Sequence, residues 1–382
     1  MPNALYLHVP FCRTRCTYCA FNTYTGQSSL IDDYVQALCR EIQWVTGDDP
    51  VAIHTVYFGG GTPSVLPGAL IQTCLDSCRA AFALEPGSEI TVEANPGTVN
   101  GAYLQHLFQA GVNRLSIGMQ SAHPHELRLF GRTHHLEDVQ AAVRAARRAG
   151  FDNISLDLIY GIPQQSMTAW RESLETALTM APDHISLYSL SIEKATPIQH
   201  LIAQNRLPMP DPDLAADMYE WAHERLIAAG LAQYEISNWG KPCQHNLHVW
   251  RNRPYLGLGA GAHGYAGGTR YANVLHPADY VRRINAQQTA RPFPLSAAAA
   301  EIETIDTADE MAETMMMGLR LTQEGVGFDD FQARFGRDLH NVFGAAITRL
   351  VNLGLLELVP TGRVRLTARG RLLGNRVFAE FL

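Results

Sequence analysis

The sequence predicts an α/β fold, a partial open barrel of six βα units followed by a small winged-helix-like domain. Three observations predict this fold. Short apolar runs alternate with amphipathic stretches of helical length from residue 4 to about residue 230, which is the pattern of a parallel sheet with crossover helices. Six such units are present, whereas a closed barrel has about eight. From about residue 306 the pattern changes to short helices and a two-stranded wing.

Each predicted strand is a short run rich in β-branched, aliphatic and aromatic residues. The six strands are ALYLHV (4–9), IHTVYF (53–58), EITVEA (89–94), NRLSIGM (113–119), NISLDLI (153–159) and HISLYSL (184–190). Helices are expected near 31–46, 67–82, 99–110, 136–149, 166–180 and 213–229. Gly111 and Gly150 stand just past two of these helices, where a helix commonly ends in a left-handed residue. Functional residues are expected at the carboxyl ends of the strands.

The change of pattern along the chain predicts three regions. Residues 1–235 form the barrel, residues 236–300 form a glycine- and aromatic-rich connection over the site, and residues 301–382 form the winged-helix-like domain. The run YEISNWGKPCQHNLHVWRNRPYLGLGAGAHG is expected to be loop and irregular sheet that covers a site. The wing, GLLELVPTGRVRLTARGRLL, should turn at Thr361 and Gly362.

Composition limits the classes of function. The 382 residues are 46% hydrophobic and 18% charged, which is ordinary for a globular protein. A net charge of -7 disfavours nucleic acid as a partner, and residues 328–382 carry eight arginines against five acidic residues, a weak basic excess for a DNA-binding wing. There is no long apolar span and no basic segment ahead of an apolar stretch, so the sequence predicts a cytoplasmic location.

The cysteines supply the most specific motif. Cys12, Cys16 and Cys19 form C-x3-C-x2-C just after the first strand, which suits a loop around a polynuclear iron–sulfur cluster. A zinc site or a ferredoxin would normally use four ligands, a redox pair would not require Cys12, and unrelated buried cysteines seldom fall so close together. Three thiolates on a four-iron cluster leave one iron open to another ligand. The remaining cysteines on predicted helices, Cys39, Cys74 and Cys78, are expected to be buried small hydrophobes.

Several other predicted strand ends carry polar or glycine-rich segments. GGGTP at 59–63 ends the second strand and lets the backbone approach a ligand closely. Glu93 ends the third strand, Gln120 the fourth, and Asp157 lies near the end of the fifth. Each residue alone is more often a structural polar group. Together, beside the three cysteines, they favour a binding site.

These motifs resemble the radical S-adenosylmethionine superfamily. That resemblance implies a [4Fe-4S] cluster and S-adenosylmethionine, whose amino and carboxylate groups bind the open iron. The runs LYLHVPFCRTRCTYCAFNTY, FGGGTP, EANP, RLSIGMQS, LDLIYGIP and ISLYSLSIE further resemble the oxygen-independent coproporphyrinogen III oxidase group. By that resemblance Tyr6, Gly60 and Glu93 contact S-adenosylmethionine. A second molecule, as in the oxidases, would contact Tyr18, Gly61, Thr62, Gln120, Arg132, Asp157 and Ser191.

Three features favour the shorter heme chaperones of this group over its oxidases. Phe21 stands where the oxidases have a further cysteine, and the first strand begins at Ala4 without a preceding extension. The segment HNLHVW resembles the HNxxYW motif of the heme chaperones, with Val249 in place of the tyrosine. His245 is the first heme-ligand candidate, Cys243 and His248 are reserves, and His263 is expected to pack over the cofactor site.

The resemblance implies a protein that receives heme as cargo and passes it to a respiratory hemoprotein. The alternative is decarboxylation of the propionates of coproporphyrinogen III. Either function would use an electron donor such as flavodoxin or ferredoxin. Cleavage of S-adenosylmethionine, the number of its molecules bound, transient contact with a membrane and a homodimer are all left open by the sequence.

Overall fold

A computed structural model describes residues 2–46 and 51–382. Its centre is a nine-stranded sheet whose strands β1 to β6 lie side by side in chain order, all parallel. The six predicted strands are therefore confirmed, with ends that differ by two residues or fewer, except that β3 begins six residues before its predicted start. The strands of this sheet are β1 (Ala4–Val9), β2 (Ala52–Gly60), β3 (Ala83–Ala94), β4 (Arg114–Gln120), β5 (Ile154–Tyr160), β6 (His184–Ser189), β7 (Gln233–Glu235), β8 (Asn238–Gly240) and β9 (Leu256–Leu258).

Three short strands extend the sheet beyond the predicted six. Strand β9 is parallel to β1 at one edge, and the β7–β8 hairpin lies antiparallel against β6 at the other. The sheet does not close, in agreement with a partial barrel. These extra strands are three residues long, too short to show a period in the sequence. The predicted domain limit at residue 235 stays a prediction, and it falls in the turn between β7 and β8.

The six predicted barrel helices are also present. Two further helices occur, one after β4 and one inside the proline-rich 196–213 segment. Helix ends follow local capping: at the fifth helix His135 and Asp138 form a capping box, and Gly150 ends it at φ 109°. The helices are α1 (Ile31–Trp44), α2 (Gly68–Ala81), α3 (Gly101–Gln109), α4 (Pro124–Leu129), α5 (Leu136–Ala149), α6 (Met167–Thr179), α7 (Pro197–Ala203) and α8 (Pro212–Ala228).

The connecting region is more regular than the sequence suggested. The expectation of loop and irregular sheet is wrong for α9 (Gln244–Trp250), which contains HNLHVW. A further helix, α10 (Pro277–Ala286), lies beyond the segment for which that expectation was made. Glu89 on β3 explains α9, because its buried carboxylate accepts the backbone N–H groups of Gln244 and His245 in the first turn. An antiparallel sheet of β10 (His263–Ala266), β11 (Thr269–Asn273) and β12 (Ala299–Thr304) follows, and its last strand crosses the predicted limit at residue 300.

The C-terminal part has its own hydrophobic core, formed by residues between 311 and 381. Gly362, at φ 70°, lies in the tight turn of the wing, as the sequence predicts. Its strands are β13 (Val326–Gly327), β14 (Leu356–Val359) and β15 (Arg363–Leu366). Its helices are α11 (Thr307–Gly318), α12 (Phe328–Phe335), α13 (Leu339–Asn352), α14 (Ala368–Leu372) and α15 (Gly374–Phe378).

The cysteines outside the loop behave nearly as expected. Cys74 and Cys78 are fully buried on α2, whereas Cys39 on α1 is partly exposed, contrary to the expectation that all three are buried. Over residues 2–46 and 51–382, none of the helices combines the length and the apolarity that crossing a membrane requires.

Candidate functional site

The three-cysteine loop connects β1 to α1 and is held at several backbone positions. Cys12 N–H donates to the Tyr24 carbonyl at 2.9 Å, and Thr17 N–H donates to the Phe130 carbonyl at 3.0 Å. These bonds tie the loop to its own exit and to the end of α4. All three loop cysteines are unpaired and partly exposed. The loop therefore presents three thiols at the carboxyl end of β1.

The donor set suits a polynuclear cluster better than a single ion. Burial raises the pKa of the Cys12 and Cys19 thiols, and coordination by iron would deprotonate them. Within the described residues no three His, Cys, Asp or Glu side chains are arranged to hold one metal ion. In an iron–sulfur cluster each thiolate binds a different iron, so the three sulfurs need not converge on one point. The residues present thus fit the expected group.

The predicted strand-end residues gather around this loop. A cavity of about 410 Å³ is lined by the three cysteines and by most of the positions that the resemblance implied. Tyr6 does not line it and lies instead on the neighbouring cavity. The predicted residues that do line it are Tyr18, Gly60, Gly61, Thr62, Glu93, Gln120, Arg132, Asp157 and Ser191.

Glycines allow the backbone at the end of β2 to pack closely against neighbouring residues on the wall of this cavity. A Cβ on Gly60, where φ is 113°, would lie 2.6 Å from the His8 ring, and one on Gly61 would lie 2.8 Å from the Phe11 carbonyl oxygen. Side chains are therefore excluded at both positions. Thr62 follows, and its hydroxyl lies 3.4 Å from the Cys12 sulfur. The GGGTP turn thus brings backbone close to the cysteine loop.

Two partly buried carboxylates, Glu93 and Asp157, face this cavity from neighbouring parts of the sheet. Glu93 accepts from the Tyr57 hydroxyl at 2.8 Å and from Gly60 N–H at 3.3 Å, and burial raises its pKa to about 7. Asp157 accepts from the Ser116 hydroxyl at 2.8 Å, and burial raises its pKa as well. Such acceptors suit the hydroxyl or ammonium groups of a ligand.

The far wall of the cavity carries a cation. Arg132 donates to the Tyr18 hydroxyl at 3.1 Å, while its Nε is buried without a hydrogen-bond partner in the described protein. Gln120 has φ of 65°, an uncommon backbone state for a residue other than glycine, at an irregularity between β4 and β5. Strain of this kind is often found at binding sites. The arrangement can hold an anionic or polar ligand beside the cysteines.

A larger cavity of about 970 Å³ adjoins the first, and Gly60, Glu93 and Phe21 line both. Its walls come from the barrel strands, from α9 and from the β10 region. Most of the lining is aromatic, histidine or amide: Tyr6, His8, Asn22, Tyr24, Tyr57, His245, Asn246, Trp250, Tyr255 and His263 among others. This composition is typical of a site for a large, flat and partly apolar ligand.

The histidines differ in their freedom to bind a metal. His245 lines the larger cavity, is 5% exposed, stacks on Tyr57 at 5.0 Å and shares a hydrogen bond with the Thr55 hydroxyl through Nδ1 at 2.9 Å. Burial lowers its pKa to about 3, so the ring is neutral. Both ring nitrogens of His8 are hydrogen-bonded, to the Tyr6 hydroxyl and to the Asn22 carbonyl. His263 lines the same cavity with an exposed side chain.

The reserve heme ligands are placed less favourably. Cys243 is fully buried, donates to Glu89 Oε1 at 3.2 Å, and burial raises the pKa of its thiol to about 12. His248 shares a 2.8 Å hydrogen bond with the Pro254 carbonyl and does not line either cavity. Thus His245 lines the larger cavity, whereas Cys243, just ahead of α9, and His248, on α9, line neither cavity.

Sequence reasoning missed the polar inner surface of the barrel. Alternate residues of β1 to β6 are polar although their neighbours are apolar, and cross-strand bonds such as Tyr57 to Glu93 and Ser116 to Asp157 place them on one face. Arg114, Glu89, Tyr57 and His8 belong to this set. The sequence signal for this surface is that polar residues recur at every second position of each predicted strand. These residues are Tyr6 and His8 on β1, Thr55 and Tyr57 on β2, Glu89, Thr91 and Glu93 on β3, Arg114 and Ser116 on β4, Ser155 and Asp157 on β5, and His184 and Ser186 on β6.

Glu235, fully buried on the larger cavity, gives a prediction on the pH dependence of stability. Burial raises its pKa from 4.5 to about 7, so the folded state binds this proton more tightly than the unfolded state. The stability that Glu235 contributes is present below pH 4.5 and is lost as the pH rises to about 7. We compare the unfolding free energy of wild type with that of Glu235→Gln at each pH. The value for wild type minus the value for the variant should fall as the pH rises through that range, by about 3 kcal/mol at most.

Urea unfolding at a series of pH values measures this difference. Glu220→Gln is the matched control for the loss of one carboxyl group, because Glu220 is exposed on α8 and lines neither cavity. Parallel stability curves for wild type and Glu235→Gln would contradict the prediction.

Comparisons with known proteins agree with this geometry. Residues 6–177 match the Radical SAM superfamily, and residues 305–373 match the HemN C-terminal domain. The heme chaperone HemW of Bacillus subtilis (strain 168) is 38% identical over 384 residues, covering 99% of this chain and 98% of the relative. HemW of Lactococcus lactis subsp. lactis (strain IL1403) is 35% identical over 384 residues, covering 100% of this chain and 97% of the relative.

A solved structure shows the same fold. Coproporphyrinogen III oxidase (HemN) from Escherichia coli, described as a radical SAM enzyme, superposes with a TM-score of 0.83 at 23% identity, over 100% of this chain and 90% of that one. The open parallel barrel with its three-cysteine loop therefore defines a radical SAM protein with a HemN-type C-terminal domain. Within that class, the chain belongs to the HemW family.

Proposed function

We propose that this protein binds heme in the larger cavity and passes it to a respiratory hemoprotein. The observation that carries the proposal is the cavity of about 970 Å³ beside the cysteine loop, walled by aromatic side chains and histidines. Its volume lies at the upper end of the range for small-molecule sites, as a tetrapyrrole requires. The relatives in Bacillus subtilis and Lactococcus lactis are heme chaperones, which supports heme as the cargo.

His245 is the proposed axial ligand. A neutral imidazole is a good ligand of heme iron, and a ligating histidine usually has its other ring nitrogen in a hydrogen bond that fixes the ring. The Thr55 hydroxyl supplies that second bond at Nδ1, and the Tyr57 ring holds the imidazole from one side. This leaves Nε2 as the ligating atom. His263 is the alternative ligand, since its side chain also lines the cavity.

The smaller cavity is proposed to hold a [4Fe-4S] cluster on Cys12, Cys16 and Cys19 together with S-adenosylmethionine. When bound, these groups supply one-electron chemistry, for which flavodoxin or ferredoxin is the proposed electron donor. Glu93 and the Gly60 backbone would bind polar groups of S-adenosylmethionine, with Tyr6 close by on the adjoining cavity. Arg132, Gln120, Asp157, Tyr18, Gly61, Thr62 and Ser191 would bind the remainder, or a second molecule.

An anaerobic titration of the cluster-loaded protein with heme, followed through the Soret band, tests the proposal. Wild type should bind one equivalent saturably, and His245→Ala should weaken binding by about tenfold or more because an axial bond is lost. His54→Ala is the matched control, since His54 is exposed on β2 and pairs with Glu85 outside the cavity.

Each other outcome has a defined meaning. If His263→Ala weakens binding and His245→Ala does not, the axial ligand is His263. If wild type binds no heme saturably, the proposal fails. The next assay is then product analysis for protoporphyrinogen under anaerobic conditions with reductant and S-adenosylmethionine, because decarboxylation of coproporphyrinogen III is the alternative function.

A further inference from the structure

One end of the larger cavity carries polar atoms that the described protein leaves without partners. Four side chains that line the cavity contribute them, and all four atoms are buried. Buried polar atoms are nearly always hydrogen-bonded in folded proteins, because an unmade bond costs free energy. The clustering of four such atoms at one site points to a ligand. The atoms are Glu235 Oε2, Asn238 Oδ1, Trp250 Nε1 and Arg320 Nε.

Arg320 is the cation of this group. It lies just beyond α11, where its carbonyl accepts Ile236 N–H at 3.1 Å, so its backbone is fixed to the β7–β8 hairpin. Its guanidinium lies 4.3 Å from the centre of the Trp250 ring and 5.8 Å from that of Phe378. No carboxylate of the described chain forms an ion pair with it. The aromatic faces orient the guanidinium without using its N–H donors.

Glu235 does not neutralise Arg320. One of its oxygens, Oε1, accepts from Ser237 N–H at 3.0 Å and from the Asn238 amide. The charge of Arg320 lowers the pKa of Glu235, but burial outweighs it and raises that pKa to about 7. Glu235 is therefore partly protonated near neutral pH. A protonated carboxyl is a donor, and so it can face an anion that sits beside Arg320.

Two of the four atoms, Arg320 Nε and Trp250 Nε1, are donors and select an acceptor with negative charge. Asn238 Oδ1 can only accept, and Glu235 Oε2 donates only when it is protonated. The planar guanidinium fork matches a carboxylate in two parallel hydrogen bonds, and the Trp250 indole is a donor only. Trp250 lies on α9, five residues after His245, which corresponds to about 7.5 Å along the helix axis. Helix α9 thus contributes both the proposed axial ligand, His245, and one donor, Trp250, at the polar end of the same cavity. A flat ligand with its metal near His245 would bring a peripheral group toward Arg320.

We propose that Arg320, assisted by Trp250 Nε1, binds a carboxylate side chain of the tetrapyrrole cargo at this end of the cavity. This inference rests on the proposed function, because it assumes that the larger cavity holds heme. The inference assigns an orientation to the bound cargo. Its propionate side chains point toward the β7–β8 hairpin and α11, and its metal lies toward α9 and the barrel.

The test measures the binding of two ligands to wild type and to two variants. Iron protoporphyrin and its dimethyl ester are titrated into wild type, Arg320→Met and Arg171→Met, all cluster-loaded and anaerobic. Arg171 is the matched control, since it also stacks on a tryptophan, Trp221 at 5.2 Å, but does not line the cavity. Wild type should prefer the free acid by about ten- to a hundredfold, the value of a charge-assisted hydrogen bond. Arg320→Met should lose most of that preference, and Arg171→Met should keep it.

The outcomes separate this inference from the function on which it rests. If Arg320→Met weakens both ligands equally and the preference persists, Arg320 acts only through packing and the inference is overturned. Arg320→Lys keeps the positive charge and should retain part of the preference for the free acid. This variant keeps the inference testable if Arg320→Met does not fold. If wild type binds neither ligand, the proposed function itself fails. If wild type binds both ligands equally well, heme binding stands and the carboxylate site is wrong.

Discussion

Replacement of Cys16 by serine is expected to abolish assembly of the iron–sulfur cluster. The structure holds Cys12, Cys16 and Cys19 in one loop, whose exit is tied to Cys12 by the bond from Cys12 N–H to the Tyr24 carbonyl. Three thiolates are the minimum that a four-iron cluster with one open iron requires, so the loss of one leaves two irons without protein ligands. A serine hydroxyl is far less acidic and is a harder donor. Iron and sulfide analysis after anaerobic reconstitution should show near-background amounts.

Cys39→Ser provides the matched control. Cys39 is also a partly exposed, unpaired cysteine, but it lies on α1 outside the loop. Its replacement should leave iron and sulfide at the level of wild type. A full iron content in Cys16→Ser, or an equal loss in Cys39→Ser, would contradict the assignment of the loop as the cluster site.

Replacement of Glu41 by alanine is expected to destabilise the barrel strongly. Glu41 on α1 is 1% exposed, and its carboxylate accepts four hydrogen bonds from the connecting region. Its removal would leave these four donors buried without an acceptor, so the free energy of unfolding should fall by about 3–5 kcal/mol. The donors are Gly259 N–H at 2.7 Å, Asn273 Nδ2 at 2.9 Å, the Tyr280 hydroxyl at 2.6 Å and the Ser296 hydroxyl at 2.6 Å.

Chemical denaturation followed by circular dichroism measures this effect. Glu220→Ala, on the exposed side of α8, should change the unfolding free energy by about 0.5 kcal/mol or less. A loss in Glu41→Ala no larger than in this control would mean that the connecting region is not anchored through Glu41. A loss of heme binding in Glu41→Ala would be secondary to unfolding, because Glu41 lines neither cavity.

The amino-acid sequence by itself determined the repeated βα units and the cysteine loop. Strands such as ALYLHV and NISLDLI were found to within a residue or two because their period is local and their ends carry turn residues. The spacing of Cys12, Cys16 and Cys19 is equally local. The Gly60 and Gly61 turn and Glu93 followed from their places at strand ends, and the structure brings them to one cavity with the cysteines.

Only the tertiary structure decided the rest of the site. The HNLHVW segment was read as loop, yet Glu89 on the distant strand β3 caps it as a helix, and His245 lines the larger cavity whereas Cys243 lines neither. Glu235, Trp250 and Arg320 come from three separate segments, and no local pattern relates them. A helix cap, a shared cavity wall and an unpaired buried donor depend on contacts between residues far apart in the chain. Local period and spacing carry no information about such contacts. The larger cavity therefore could not be predicted from the sequence and is defined only by the tertiary structure.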